Sequence, residues 1–215
     1  MRVEFLESFG GDENHVNVAR VSYAKKASEY TEAENEKLIK YLVKHGHDSP
    51  FRHSTLQFRI KCPIYVERQL HKHQVGISVN SVSGRYVDFS DSYHHIPNGG
   101  WRKQSKSSKQ GSEGLVDDQD FCDEVQSDII ERCKKAYQDL LEKGVSKEQA
   151  RSILPLNLET EFIWTGSFLA FVHMCKLRLK PDAQQETREV VSDMLDQLVS
   201  NTDKFNVSLM AFDII

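Results

Sequence analysis

The chain has 215 residues, 39% hydrophobic and 28% charged, with a formal net charge of −4. A single domain of this length buries roughly 70% of its unfolded-chain surface, so a core forms without disulfide or metal staples. The balance excludes a basic coat for a nucleic acid polymer and a solvating acidic tail, and no apolar run approaches the roughly 18 residues that span a bilayer.

The opening "MRVEFLESFGG" lacks the apolar stretch of a signal peptide. Cys62, Cys122, Cys133 and Cys175 lie far apart, with neither a C-x-x-C pair nor zinc-ligand spacing. Reduced thiols, no metal centre and a cytoplasmic location are the expectation.

In chain order, Thr31 and Glu34 form a capping box, and Leu38, Ile39, Leu42 and Val43 recur at helical spacing until "HGHDSP" ends the pattern. Leu56, Phe58 and Ile60 alternate with polar residues, which predicts a strand with one buried face. Pro63 is placed at the first helical position of a segment carrying Glu67, Arg68, Gln69 and His71. "HKHQVGISVNSVSGRY" (71–86) then has no apolar periodicity.

Residues 88–118 are poor in aliphatics and rich in Gly, Ser and Lys, which predicts a mobile polar loop inserted in the domain, with Tyr93 and Trp101 able to fold down. Phe121, Val125, Ile129, Cys133, Tyr137, Leu140 and Leu141 mark a long amphipathic helix stopped by Gly144. A short helix capped by Ser146 brings Arg151 near its end. "LPLNLETEFIW" alternates as a strand, with Leu156, Leu158, Thr160, Phe162 and Trp164 on one side. A buried helix over 167–178 ends in Arg178, and a last amphipathic helix runs from Asp182 to Ser200. Strands and helices mix without a βαβ rhythm, repeats or a G-x-G-x-x-G, so an α+β single domain with a mixed or antiparallel sheet packed by helices is expected.

Ser83 lacks a G-x-S-x-G elbow, and no local carboxylate orients His71 or His73, so nothing supports a hydrolase. Anion binding is better supported. "SVSGRY" offers a hydroxyl, a glycine that admits a close ligand and an arginine fork suited to phosphate oxygens. In isolation the tripeptide reads as a tight turn with a solvated arginine. Lys72, Arg85, Arg151 and Arg178 all sit at ends of predicted elements, where distant side chains converge. His47 and His53, flanking "DSPFR", read one at a time as turn histidines. The Lys/Ser run at 102–109 lacks the aromatic interleaving of an RNA-binding surface.

"ARVSY" (19–23), "LIKYLVKHGHDSPFRH" (38–53), "KCPIYVERQL" (61–70), "NSVSGRY" (80–86), "ARSILPLNLETEFIWT" (150–165) and "LRLKPDAQQETRE" (177–189) together resemble the flavin-dependent thymidylate synthases over nearly the whole chain. The family's Arg-His-Arg triplet, seven intervening residues and serine here become Lys72-His73-Gln74, eight residues and Ser83. The resemblance implies dUMP as substrate, methylenetetrahydrofolate as carbon donor, NADPH-reduced FAD as hydride donor, and a homotetramer with shared active sites. It places Ser22, Ser49, Lys72, His73, Gln74, Ser167 and His173 at the flavin, and Gln69, Ser81, Val82, Ser83, Gly84, Arg85, Arg151 and Arg178 at dUMP. Arg178 falls where the uracil ring is polarised, and His47 matches an active-site histidine. Departures fall mainly on the flavin side: Ser167-Phe168-Leu169 replaces Asn-Ala-Arg, His173 an asparagine and Arg52 a glutamate, while Ser81 replaces the nucleotide-loop glutamate. Two alternatives stay open: a related enzyme that hydroxymethylates pyrimidine nucleotides at C5 and, suggested by Gln74, Ser167 and Leu169, a nucleotide-binding homologue without flavin chemistry.

Overall fold

The computed structural model describes residues 1–88, 91–97, 99–107 and 109–215. Four strands form an antiparallel sheet in the order β1 (Arg2–Phe9), β2 (Thr55–Pro63), β6 (Glu159–Ser167) and β3 (Ile77–Ser81). The alternation in β2 and β6 does what it predicts. Leu56, Phe58, Ile60 and Cys62 are buried along one face of β2, and Thr160, Phe162, Trp164 and Gly166 along the same face of β6. Phe58 stands opposite Trp164 and Ile60 opposite Phe162, so the side chains form cross-strand pairs.

That face is covered by α6 (Phe168–Arg178), in which seven of eleven residues are buried. The Phe171 ring stacks on Phe58 at 5.9 Å, and each such aromatic contributes about 1.5–3 kcal/mol by burial. α7 (Gln185–Asn201) packs beside α6, with Val190, Val191, Met194 and Leu198 inward. The core continues under α1 (Asp12–Arg20), α2 (Glu32–Lys44) and α8 (Asn206–Ala211). The α2 capping box is present: Thr31 Oγ1 accepts the Glu34 N–H at 3.3 Å, and the Glu34 carboxylate accepts the Thr31 N–H at 2.8 Å.

Several expectations are corrected. Pro63 ends β2 and is the N-cap of α3 (Ile64–Leu70), because its extended ψ of 151° belongs to the strand and not to a first helical turn. Strand β6 begins at Glu159; Leu156 lies before it and is half exposed. The helix read as the last begins at Gln185 rather than Asp182, and α8 follows it.

The 88–118 stretch is not featureless. β4 (Arg102–Gln104) and β5 (Ser112–Leu115) pair as an antiparallel ribbon, and Tyr93 bridges to Leu158. The ribbon is pinned where it meets α4 (Gln119–Glu142). The Trp101 N–H donates to Gln119 at 2.9 Å and the indole Nε1–H to Asp123 at 2.7 Å. On α4 only part of the apolar stripe faces the core: Ile130 and Tyr137 are buried, whereas Phe121, Val125 and Ile129 are 61%, 45% and 46% exposed. Beyond α4, the short α5 (Lys147–Ala150) has Ser146 as its N-cap residue without a side-chain cap bond, and Arg151 follows directly.

Candidate active site

The sheet brings the functional segments together through its β3–β6 edge. Ile77 pairs with Gly166, so the turn between α3 and β3 lies against the point where β6 becomes α6. The Ser167 N–H donates to the Gly76 carbonyl at 2.9 Å, and the Ser167 hydroxyl caps α6 by accepting the Ala170 N–H. Gly76 sits at φ +73°, and a Cβ there would approach Ser167 Oγ to 2.9 Å, so this crossing requires glycine.

α6 then carries its last residue, Arg178, back to the C-terminal end of α3. The Arg178 Nε–H donates to His73 Nε2 at 3.0 Å and Nη2 donates to the Gln69 carbonyl at 3.2 Å. His73 and Arg178 are 105 positions apart in the chain. Burial, then the Arg178 charge and His173, hold the His73 imidazole below its ordinary pKa. His73 is therefore neutral at pH 7, with its proton on Nδ1 because Nε2 accepts. Burial also lowers the Arg178 pKa, but a guanidinium stays charged. Of its five N–H donors, three remain for a ligand.

A line of polar contacts leads away from this group. The Gln69 side-chain amide donates to the Gln184 oxygen, the Gln184 Nε2 donates to Glu186 at 2.9 Å, and Arg102 Nη2 donates to the other Glu186 oxygen at 2.5 Å. Burial acts against the Glu186 charge, yet the Arg102 and Gln184 hydrogen bonds outweigh it and keep its carboxyl below the usual range. Sequence reasoning missed these three residues. Glu186 in the first turn of α7 reads as an ordinary helix-dipole partner, and nothing in a polar ribbon announces that Arg102 crosses to meet it.

A second set lines a cavity of about 150 Å³: Arg52, Val75, Gly76, Ser167, Leu169, Ala170 and His173. Ser167 and His173, assigned to the flavin by resemblance, thus share a wall with Arg52. Leu169 is 2% exposed and packs in the core, so it contributes no polar group.

The remaining candidates are placed as follows. Ser81 closes β3 and donates to Glu67 at 3.0 Å. The Val82 N–H donates to the Glu161 carbonyl at 2.8 Å. Ser83 Oγ accepts the Arg85 N–H at 3.3 Å around the buried Gly84, and Arg85 donates to the Tyr86 hydroxyl at 3.0 Å. Arg151 Nε donates weakly to the Glu148 carbonyl at 3.4 Å. Ser22, His47, Ser49, Lys72 and Gln74 are exposed. Among the described residues, no hydrogen bond or ion pair joins Arg85, Arg151, His47 or Lys72 to Arg178. His71 does have a local carboxylate, contrary to the sequence reading: Glu67, one helical turn back, lies 3.7 Å from its Nε2.

The family described as thymidylate synthase complementing protein, Thy1, matches residues 4–202. The chain belongs to this family. The flavin-dependent thymidylate synthase of Thermus thermophilus is 41% identical over 187 residues, covering 87% of this chain and 67% of its own length. That of Kosmotoga olearia is 40% identical over 190 residues, covering 87% and 80%. The UMP/dUMP methylase PolB from Streptomyces cacaoi, bound with 5-Br dUMP, superposes with a TM-score of 0.86 at 27% identity, over 99% of this chain and 94% of its own.

Proposed function

We propose that the chain is a flavin-dependent thymidylate synthase that converts dUMP to dTMP, taking the carbon from methylenetetrahydrofolate and using NADPH-reduced FAD. The observation that carries this reading is the Gln69–His73–Arg178 group, a permanently charged donor fork held in place by a neutral histidine and a backbone carbonyl. C5 of a uracil is a poor nucleophile until charge developing on the ring carbonyls is stabilised. The free N–H groups of Arg178, aimed at that edge in a partly dry site, supply the stabilisation, worth a few kcal/mol. Ser81, Val82, Ser83, Gly84 and Arg85 cradle the nucleotide and its phosphate, with Arg151 as a further cation. His47, exposed on the loop after α2, orients the folate.

The residues present suit FAD. Arg52 and Lys72 offer cations and Ser22, Ser49 and Ser167 hydroxyls to a diphosphate, while His73, Gln74 and His173 offer ring-edge partners. Arg52 opens on the same cavity as Leu169 and places a cation there that Leu169 cannot. When bound, FAD supplies the hydride; the chain's own groups bind it, orient it and keep water out. The cavity takes only part of so large a molecule, which fits active sites shared between subunits of a homotetramer. We read residues 1–215 as one synthase unit that includes the polar 88–118 segment, acting in the cytoplasm.

Incubation with dUMP, methylenetetrahydrofolate, NADPH and FAD, followed by mass analysis of the nucleotide, tests the reading. dTMP supports it. A C5-hydroxymethyl product places the chain with the hydroxymethylating alternative, and a protein that binds dUMP but takes up no FAD is a nucleotide-binding homologue.

A further inference from the structure

The polar line from Arg102 to Gln69 has a direction, and chemistry fixes that direction at one end. Glu186 is 5% exposed, ionised and bonded to Arg102, so both of its oxygens accept and neither donates. Gln184 must therefore turn its NH2 to Glu186, which leaves its oxygen toward Gln69. Gln69 must answer with its own NH2. Its Oε1 is the end left over, and among the described residues it accepts no hydrogen bond. That oxygen belongs to the residue whose carbonyl holds Arg178, so an acceptor oriented by the polar line and the donors of Arg178 are tied to one residue.

We infer that Arg102, Glu186 and Gln184 are positioning residues that lock Gln69 as an acceptor for the imide N–H of a uracil base, and so select uracil over cytosine. The inference rests on the dUMP reading of the Arg178 group. A uracil presents a carbonyl oxygen next to N3–H, the complement of a donor next to an acceptor. Cytosine presents an unprotonated N3 at the same place, which meets Gln69 Oε1 lone pair to lone pair. It can satisfy the pair only by sliding one ring atom along the edge, away from the position set by its sugar and phosphate. Without the anchor at Glu186, both amides could rotate and Gln69 would offer its NH2 to N3 of cytosine. A lone glutamine beside a base reads either edge; three residues behind it make it read one.

The test is equilibrium dialysis of the FAD-saturated protein against labelled dUMP and dCMP, with far-UV circular dichroism and Tm as checks of folding. The wild type is expected to favour dUMP by on the order of 100-fold. Glu186→Gln, whose side chain both donates and accepts, lowers that ratio by about tenfold, chiefly through tighter dCMP binding. A structural role alone would weaken both nucleotides together and leave the ratio intact. Arg102→Met decides the matter if Glu186→Gln does not fold, because Trp101 still pins the ribbon and the altered residue is on its first strand. It is expected to lower the same ratio. A folded Glu186→Gln protein that keeps the wild-type ratio overturns the inference, as does an unchanged ratio in Arg102→Met where Glu186→Gln fails to fold. A wild-type protein that binds neither nucleotide overturns the dUMP reading itself, a distinguishable result.

Discussion

His15 is a side chain whose surroundings dictate its protonation. It is fully buried among the rings of Phe51, Phe168 and Phe205, with Nδ1 2.9 Å from the Ser208 hydroxyl, and burial lowers its pKa to about 4 from an ordinary 6.5. Between those values the unfolded chain binds a proton that the folded protein does not. The neutral histidine's contribution is therefore fully present above pH 6.5 and is lost as pH falls toward 4, by about 2 kcal/mol between pH 7 and pH 5. Urea unfolding of His15→Phe should show a pH 7 to pH 5 loss smaller than the wild type's by about that amount; equal losses would mean His15 does not drive the acid limb. At the site, Arg178→Ala is expected to lower kcat by about 10²–10³-fold with folding intact, and unchanged turnover would remove the ring-activation role. Arg85→Ala should raise the Kd for dUMP about tenfold and that for FAD far less; the reverse order in paired titrations would mean the two subsites are exchanged. Arg178 and His73 were visible in the sequence as a basic helix end and a histidine without periodicity. Their meeting was not, because it depends on β3 pairing with β6, and β3 has four exposed residues of five and so no alternation to read.

Elements with one buried face were legible in proportion to the clarity of that face. β2, β6 and α2 carry alternation or a capping box and lie close to where the pattern puts them. The polar residues of β4 and β5 predict a mobile loop and not a ribbon. The ribbon's order comes from hydrogen bonds to α4 and α7, not from a buried apolar row. Trp101→Ala removes the indole bond to Asp123, so limited trypsin digestion should cut at Lys103, Lys106 or Lys109 several times faster than in the wild type. Equal rates would show that the ribbon is held without Trp101.

For the whole molecule, the α+β reading stands, and the part that one chain does not bury is as informative as its core. Phe121, Val125 and Ile129 continue the α4 stripe onto the surface beside Trp101, where they line an apolar groove. A helix patterned for burial but exposed on the isolated chain agrees with the proposed homotetramer. Sedimentation should give a tetramer, and Val125→Glu a smaller species; a wild-type monomer at micromolar concentration would contradict the shared-site account. Arg178 and its neighbours are proposed to make C5 of dUMP reactive toward a one-carbon donor, a step in which the C5 hydrogen must leave. Release of tritium to water from dUMP labelled at C5 measures that step directly. Release is expected to require methylenetetrahydrofolate, FAD and NADPH together and to be nearly abolished in Arg178→Ala; no release from the wild type with all three present would contradict C5 activation at this site.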